Sequence, residues 1–374
     1  VNYKEKPDVG TFMREWLSLY DSKSGERGIY NGMSAKKTVE QLNERYKDGD
    51  GKFITRRATR EDFGTNPCSE IILRSREFCN LSECVVRRED TRESLKEKVR
   101  TAAILGTFQS TLTEFKYLSR EWKKNCDEER LLGVSLTGIM DNPLTNGSKK
   151  GLDKLLEELR DIAYETNKEW ADKLGIPVSA AITCVKPSGT VSQLVDSASG
   201  IHARHNPHYI RTVRADNKDP LCKLMQDMGF PNEVDVTKPE HTTVFSFPMK
   251  TPKGAICRMD MTALEQLELW KVYAESWCEH KPSVTISVKE DEWVEVAAWV
   301  YDHFDSISGI SFLPFSEHVY RQAPYQDCTE EEYKEALKTM PKNVDWAELS
   351  KYESQDYTIA SQELACTAGG CEII

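Results

Sequence analysis

Short apolar segments alternate with longer amphipathic segments along most of this chain, and this alternation constrains the fold more than any other feature. Strands are predicted at residues 83–88, 131–137, 180–185, 242–247, 283–288 and 307–313. Apolar side chains at helical spacing predict helices at residues 10–20, 92–115, 152–174, 221–228, 262–280, 290–304 and 330–338. Strands joined through helices pair in parallel, so the pattern predicts an α/β layer or barrel.

The composition is typical of a soluble globular protein. The chain has 374 residues, of which 39% are hydrophobic and 30% charged, and it contains no apolar run long enough to cross a membrane. Its net charge of -11 disfavours nucleic-acid binding but permits a local positive pocket for a phosphorylated substrate. The N-terminus begins with Val and lacks the apolar core of a signal peptide, so we expect a cytoplasmic protein that is a fragment or a processed product.

The cysteines point to thiol chemistry rather than to a disulfide framework. There are 11 of them, an odd number, and their spacing is scattered. Such a pattern favours reduced thiols, a few of them functional. No pair has Cys-x-x-Cys spacing, which argues against a zinc ribbon.

The segment at residues 65–70, Thr-Asn-Pro-Cys-Ser-Glu, places an amide, a thiol and a carboxylate at alternate positions. Because side chains of an extended segment alternate between two faces, we expect Asn66, Cys68 and Glu70 to project the same way. The intervening proline favours extended backbone at Asn66. A second thiol, Cys79, follows in the chain. This set suits hydrogen-atom abstraction by sulfur, with a base and a reducing thiol nearby; a buried structural cysteine in a turn is the alternative.

Two further motifs lie far from that segment. Residues 186–193, Lys-Pro-Ser-Gly-Thr-Val-Ser-Gln, follow a predicted strand, and their small side chains allow backbone N–H groups to converge on an anion. Many strand–turn–helix junctions share this pattern. Near the C-terminus, Cys366 and Cys371 flank two glycines and are able to close into a disulfide. A metal clamp is the alternative, although two thiols without further ligands make a poor one.

Three histidines, His202, His205 and His208, recur at a spacing that is able to bind a metal ion. Pro207 prevents a regular helix from aligning all three on one face. We therefore expect these side chains to make structural hydrogen bonds.

Taken together, these motifs resemble those of ribonucleotide reductases. Their spacing is more similar to that in the adenosylcobalamin-dependent (class II) ribonucleoside-triphosphate reductases than to that in the iron-dependent class I enzymes. The resemblance is carried by Asn-Pro-Cys-Ser-Glu at 66–70, Phe-Cys-Asn-Leu-Ser-Glu at 78–83, the segment 186–193, Glu-Leu-Ala-Cys-Thr-Ala-Gly-Gly-Cys-Glu-Ile at 363–373, and Ser-Gly-Glu-Arg-Gly-Ile at 24–29. It covers nearly the whole chain. It implies the second half of a ten-stranded α/β barrel with a central finger loop and a flexible C-terminal cysteine tail.

The resemblance also implies roles for the residues of the first motif. The cysteine that Cys68 matches carries a thiyl radical, which takes the 3′ hydrogen from the ribose. The residues matching Glu70 and Asn66 act as base on the 3′ hydroxyl and orient the sugar. Cys79 matches one half of the reducing dithiol, whose other half lies far upstream in the family. Because no cysteine precedes Cys68 here, we expect a complementary N-terminal reductase chain. Cys84, in an apolar context, is read as a core residue.

Further roles are implied for the other two motifs. The loop that matches the family's substrate phosphate loop consists of Pro187, Ser188, Gly189, Thr190, Val191 and Ser192. Cys366 and Cys371 match the shuttle cysteines, which accept electrons from thioredoxin. The implied cofactor is adenosylcobalamin. The Asp-x-His-x-x-Gly signature of proteins that replace the cobalamin base with histidine is absent, as in the resembled branch.

We therefore expect a catalytic barrel portion at residues 1–315, containing a finger loop at 65–84 and a phosphate loop at 186–193. Residues 316–374 are expected to form a C-terminal segment with a redox-shuttle tail. The expected activity is reduction of ribonucleotides, of the triphosphate class, to deoxyribonucleotides for DNA synthesis. The alternatives are a noncatalytic or incomplete fragment that completes a barrel with a separate chain, and a glycyl-radical reductase, whose Arg-Val-x-Gly signature is absent.

Overall fold

The computed structural model describes residues 2–3, 5–23, 28–315 and 321–353. The chain divides into two compact units. The first contains residues up to Ala203 together with 254–256 and 260–315, and the second contains 204–253, 257–259 and 321–353. One junction between the units thus lies at the boundary expected after residue 315, whereas residues 204–253 also belong to the second unit. The assignment of separate functions to 1–315 and 316–374 stays a prediction.

Thirteen strands are formed within the described residues. They are β1 (Asn2–Tyr3), β2 (Gly28–Asn31), β3 (Gly64–Thr65), β4 (Ile72–Leu73), β5 (Asn80–Val85), β6 (Leu132–Thr137), β7 (Thr183–Cys184), β8 (His208–Asp216), β9 (Asn232–Val234), β10 (Thr242–Lys250), β11 (Thr285–Val288), β12 (Gly309–Pro314) and β13 (Tyr325–Asp327).

The same residues form eleven α-helices. They are α1 (Val9–Ser22), α2 (Gly32–Asn43), α3 (Arg92–Gln109), α4 (Arg120–Glu129), α5 (Leu152–Leu174), α6 (Thr190–Leu194), α7 (Pro220–Asp227), α8 (Ala263–Ser276), α9 (Trp293–Asp302), α10 (Glu330–Thr339) and α11 (Leu349–Tyr352). No described helix combines the length and apolar character that crossing a bilayer requires.

Parallel strands form the centre of the first unit, as the strand–helix alternation predicts. β5, β6 and β7 pair in parallel, and so do β11 and β12. A parallel bridge between Val185 and Pro282 continues the ladder from the end of β7 towards β11. Every residue of β6 is buried, which explains its uninterrupted apolar and small-residue sequence. The resulting row of five parallel strands positions the functional residues described below.

The second unit has a different architecture. Its sheet has the order β13-β8-β10-β9, and all of its pairs are antiparallel. β8 and β10 are paired along nine residues each, from His208 opposite Lys250 to Asp216 opposite Thr242. The expectation of parallel pairing is therefore wrong for this part of the chain, because the strands follow one another through turns and one short helix instead of crossover helices.

A buried ion cluster anchors the polar segment that precedes β3 and the segment that follows β4. Arg57, which is 2% exposed, lies with Nη2 3.2 Å from Oε2 of Glu77 and 2.8 Å from Oε2 of Glu129. Burial, followed by the charge of Glu129, raises the pKa of Glu77 to about 7. The two carboxylates also contact Arg74, whose Nη2 lies 3.3 Å from Oε1 of Glu77 and whose Nε lies 3.1 Å from Oε1 of Glu129. Removal of the more deeply buried Arg57 therefore leaves buried negative charge that Arg74 compensates only in part.

We expect Arg57→Met to lower the free energy of unfolding by about 3–5 kcal/mol, because it breaks a buried ion cluster from one side. Urea denaturation followed by circular dichroism measures the loss. Arg60→Met is the matched control, since the Arg60 side chain is 88% exposed and its removal should change stability by less than about 0.5 kcal/mol. Equal stability of the two variants would show that the cluster contributes nothing to folding.

Candidate active site

The segment that carries Asn66, Cys68 and Glu70 is a tight turn between β3 and β4. The backbone N–H of Ser69 donates to the Asn66 carbonyl at 2.9 Å, and Ser69 has a left-handed backbone with φ of 69°. The expectation of an extended segment with three side chains on one face is therefore wrong. Pro67 favours the second position of a turn as well as extended backbone, and the turn is the conformation that forms.

The turn nevertheless brings Asn66 and Glu70 together. Nδ2 of Asn66 donates to Oε1 of Glu70 at 2.6 Å, and Oδ1 of Asn66 accepts from the backbone N–H of Ile71 at 3.0 Å. Glu70 is fully buried, with 0% exposure. Its second oxygen, Oε2, is buried and has no hydrogen-bond partner among the described residues. The site thus holds a carboxylate with one oxygen fixed and the other buried without a hydrogen-bond partner among the described residues.

Lys186 contacts the carboxylate. Its Nζ lies 3.0 Å from Oε1 of Glu70. Burial by itself lowers the pKa of Lys186, but the charge of Glu70 and the hydrogen bond to it, with a smaller contribution from Cys68, outweigh burial and raise the pKa above its ordinary value. The lysine therefore stays charged at neutral pH. The sequence showed Lys186 only as the first residue of the 186–193 motif and gave no signal of its contact with Glu70.

Cys68 presents its side chain to solvent while its backbone is held. The side chain is exposed, and the Cys68 carbonyl accepts a hydrogen bond from Oγ of Ser283 at 2.5 Å. Ser283 lies between the end of the Val185–Pro282 bridge and β11, so the parallel strands fix the position of the turn. An exposed thiol on a held backbone is accessible to a reaction partner that approaches from outside.

Cys79 lies immediately before β5, an edge strand of the parallel sheet β5-β6-β7. Its Sγ is 3.2 Å from the position that a Cβ on Gly133 would occupy, so glycine at this point of β6 leaves room for the sulfur. Burial raises the pKa of Cys79 well above the ordinary thiol value, and the charges of Glu70 and Glu77 raise it further. Cys79 is thus a protonated thiol within the electrostatic reach of Glu70. Cys84, predicted to be a core residue, is 3% exposed and packs in the main hydrophobic core.

The 186–193 segment forms a turn that leads into α6. Gly189 and Thr190 are exposed, whereas Ser188 and Ser192 are buried. Oγ of Ser188 donates to Oε2 of Glu83 at 3.1 Å and accepts from the backbone N–H of Ser192 at 3.1 Å. Pro187 and Val191 complete the loop. Of the predicted loop residues, Gly189 and Thr190 therefore offer their backbone to solvent, and the two serines hold the loop closed.

The other residues singled out from the sequence are not described as part of this cluster. Cys366 and Cys371, and Ser24 to Arg27, are outside the described residues. His202 accepts a hydrogen bond from the backbone N–H of Thr285 at 3.1 Å. A search of the described residues for three or more histidine, cysteine, aspartate or glutamate side chains able to hold a metal ion finds none.

No protein-family model matches the chain. It is 29% identical over 283 residues to the adenosylcobalamin-dependent ribonucleoside-triphosphate reductase of Euglena gracilis, covering 75% of this chain and 38% of the relative. The reductase of the same description from Lactobacillus gasseri is 26% identical over 382 residues, covering 94% of this chain and 49% of the relative. The chain therefore spans half or less of the length of these curated relatives.

Two solved structures extend the comparison. The crystal structure of a B12-dependent (class II) ribonucleotide reductase superposes with a TM-score of 0.75 at 23% identity, covering 93% of this chain and 50% of that one. The class Id ribonucleotide reductase alpha subunit of Actinobacillus ureae superposes with a TM-score of 0.52 at 14% identity, covering 83% and 62%. These likenesses confirm the predicted α/β fold class. The chain is thus similar in sequence to adenosylcobalamin-dependent ribonucleoside-triphosphate reductases over half or less of their length.

Proposed function

We propose that this chain is the catalytic portion of a reductase that converts ribonucleotides, in the triphosphate form, to 2′-deoxyribonucleotides for DNA synthesis. The observation that carries the proposal is the cluster around the turn, where an exposed Cys68 thiol lies two residues from a buried Glu70 carboxylate that is held by Asn66 and Lys186. The homologues' shared description supports the same reaction.

In the proposed reaction, the Cys68 sulfur, as a thiyl radical, takes the hydrogen atom from C3′ of the ribose. Oε2 of Glu70 accepts the proton of the 3′ hydroxyl, and its lack of a partner within the described residues leaves it available. Oε1 is held by Asn66 and Lys186, so the carboxylate keeps one orientation during the transfer. Since an amide nitrogen carries two hydrogens, Asn66 retains one for a hydroxyl of the sugar.

Loss of the 2′ hydroxyl as water then consumes two electrons and two protons. Cys79 and a second thiol supply them as they become a disulfide. The raised pKa of Cys79 keeps its proton on sulfur at neutral pH, so the thiol brings both the electron and the proton. All nine described cysteines are free thiols, which agrees with a reducing compartment and supports a cytoplasmic location.

The substrate phosphates are assigned to the turn at Pro187–Ser192, where Gly189 has open space around its α-carbon and Thr190 is exposed. The described residues also fit the proposed cofactor, because the exposed Cys68 side chain is reachable by a bulky group. When bound, adenosylcobalamin would supply the acceptor for the hydrogen atom of the Cys68 thiol. Thioredoxin or a similar dithiol restores the reduced state through Cys366 and Cys371.

A complementary N-terminal chain is the remaining part of the proposal. The five parallel strands of the first unit suit one half of a ten-stranded barrel. The chain also spans only about half of its Lactobacillus relative. No cysteine precedes Cys68 in this sequence, and in the proposal a thiol of the complementary chain is the partner of Cys79. A noncatalytic piece that completes a reductase barrel is the alternative.

We expect the chain produced alone to show no sustained turnover, because it lacks a partner thiol for Cys79, whereas its native complex reduces ribonucleotides through many cycles. Both preparations receive adenosylcobalamin and dithiothreitol, and chromatography measures the deoxyribonucleotide formed. Native mass spectrometry of the active fraction identifies what accompanies the chain. Sustained turnover by the homogeneous chain would overturn the need for a complementary chain. An inactive native complex would favour the noncatalytic alternative.

A further inference from the structure

A second lysine approaches the turn from its buried side. Lys281 is 2% exposed and lies immediately before Pro282, the residue that bridges to Val185, in the segment between α8 and β11. Its Nζ donates to Oγ of Ser69 at 2.8 Å. A buried ammonium is costly unless it is paired or hydrogen-bonded, so its presence beside the turn requires an explanation.

The segment around Lys281 holds three consecutive residues of the turn. Its backbone N–H donates to the Glu70 carbonyl at 3.2 Å, and its Nζ bonds to Ser69. Two residues further on, Oγ of Ser283 bonds to the Cys68 carbonyl at 2.5 Å. Each residue from Cys68 to Glu70 is therefore tied to the segment 281–283.

Ser69 is the residue of the turn that most needs such support. Its φ of 69° lies in the left-handed region, which non-glycine residues seldom adopt. A side-chain hydrogen bond from Lys281 fixes Ser69 in that conformation. The backbone on either side belongs to Cys68 and Glu70, so the conformation of Ser69 sets the relative position of the thiol and the carboxylate.

Gly309, the first residue of β12, makes the space for the Lys281 ammonium. A Cβ built on Gly309 would collide with Nζ of Lys281 and would come 3.0 Å from Oγ of Ser69. No side chain fits there while the lysine occupies its observed position. Glycine at 309 and lysine at 281 thus form one structural unit with Ser69.

The charge of Lys281 is also directed at the site. Burial lowers its pKa to about 7, and the carboxylate of Glu70 opposes that shift, which places the two groups within electrostatic reach. Lys186 is partly exposed and contacts Glu70 directly, whereas Lys281 is buried and interacts with Glu70 through its charge. Two lysine side chains thus influence the same carboxylate.

We propose that Lys281 is a positioning residue for the reactive turn: its ammonium, seated in the space left by Gly309, fixes Ser69 and thereby the relative placement of Cys68 and Glu70. The proposal deepens the proposed function, since it assigns a new role within the same site. The hydrogen bonds that support it are present in the structure whichever reaction the site performs.

Hydrogen–deuterium exchange of the whole chain tests the positioning directly. Lys281→Met keeps most of the side-chain volume and removes the donor, and we expect exchange of the peptide covering residues 66–71 to accelerate at least tenfold. The peptide covering α5 should keep its wild-type exchange, which distinguishes a local effect from general destabilisation. Lys271→Met is the control, because Lys271 contacts His303 and not the turn. Unchanged exchange of 66–71 in Lys281→Met would overturn the proposal.

A double-mutant cycle separates positioning from simple packing. Gly309→Ala alone should accelerate exchange of 66–71 as strongly as Lys281→Met, because the new methyl group displaces the ammonium. In a Lys281→Ala background the same substitution should add less than a twofold change, since the colliding atom is gone. Equal effects of Gly309→Ala in both backgrounds would contradict the proposed unit of Gly309, Lys281 and Ser69.

The catalytic consequence is measured in the active native complex. Lys281→Met should lower kcat at least tenfold and change KM less than threefold, because the turn and not the phosphate loop is displaced. A changed exchange pattern with an inactive wild-type complex would refute the proposed function and leave the positioning role intact. A changed exchange pattern with unchanged kcat would overturn the catalytic importance of the positioning.

Discussion

Cys68→Ser is expected to abolish ribonucleotide reduction by the active complex while leaving the fold intact. The S–H bond is weak enough for a protein thiol to exchange a hydrogen atom with a carbon radical, whereas the O–H bond of serine is too strong. The side chain is exposed, and the backbone contacts of Cys68 are made by its carbonyl, so the substitution should not disturb the turn. Deoxyribonucleotide formation and a thermal melting curve together measure the two effects.

The control for this substitution is Cys328→Ser, a change of the same chemistry at a half-buried cysteine of the second unit. It should retain wild-type activity. A Cys68→Ser enzyme with even a tenth of the wild-type turnover would remove Cys68 from the centre of the mechanism. Loss of activity in both variants would point to a general effect of thiol removal.

Replacing both Cys366 and Cys371 with Ser should eliminate thioredoxin-driven turnover and preserve turnover driven by dithiothreitol. If the two cysteines relay electrons, a large protein reductant depends on them, whereas a small dithiol enters the site directly. A single turnover from pre-reduced active-site thiols should survive as well. The measurement is a side-by-side assay of the double variant with the two reductants, accompanied by melting curves.

Other outcomes of this assay are equally clear. Equal activity of the double variant with both reductants would rule out a shuttle role for the tail. Loss of activity with every reductant, together with a lower melting temperature, would show that the two cysteines stabilise the fold instead. The Cys328→Ser variant again serves as the control for removal of a thiol outside the proposed relay.

Long periodic elements of the fold were predictable because their own sequence determines them. α5 occupies the predicted residues 152–174, where apolar side chains recur on one face and Gly175 ends the helix in a left-handed conformation. β6 was predicted for the same reason, since a fully buried strand is uniformly apolar or small. α3 ends at Gln109 instead of continuing to residue 115, because turns begin at Ser110.

β8 was missed because its register, and not its composition, makes it a strand. Its sequence carries His208, Arg211, Arg214 and Asp216, which read as a polar loop. In the structure it is the partner of both β10 and β13, and backbone hydrogen bonds across both edges hold it. Such pairing depends on residues far along the chain, and the intrinsic strand propensity of a short segment contains no information about them.

The candidate site, too, was predictable from the sequence only in part. The residue types at 66, 68 and 70 indicated the chemistry, but the geometry follows from the left-handed Ser69 and from contacts with Lys186 and Lys281. Those lysines lie more than one hundred residues downstream. A solitary lysine in a sequence reads as a solvated side chain, and only the packing of the strands shows that one of them is buried.

The burial of Cys79 has a consequence for the resistance of this thiol to chemical damage. Peroxides and alkylating agents attack the thiolate of cysteine and react slowly with the protonated thiol. Because burial and two nearby carboxylates keep the Cys79 proton on sulfur, stray oxidants find little nucleophile at this position. In the proposed function, the reducing equivalent of Cys79 is therefore held as a slowly reacting protonated thiol until a substrate binds beside Glu70.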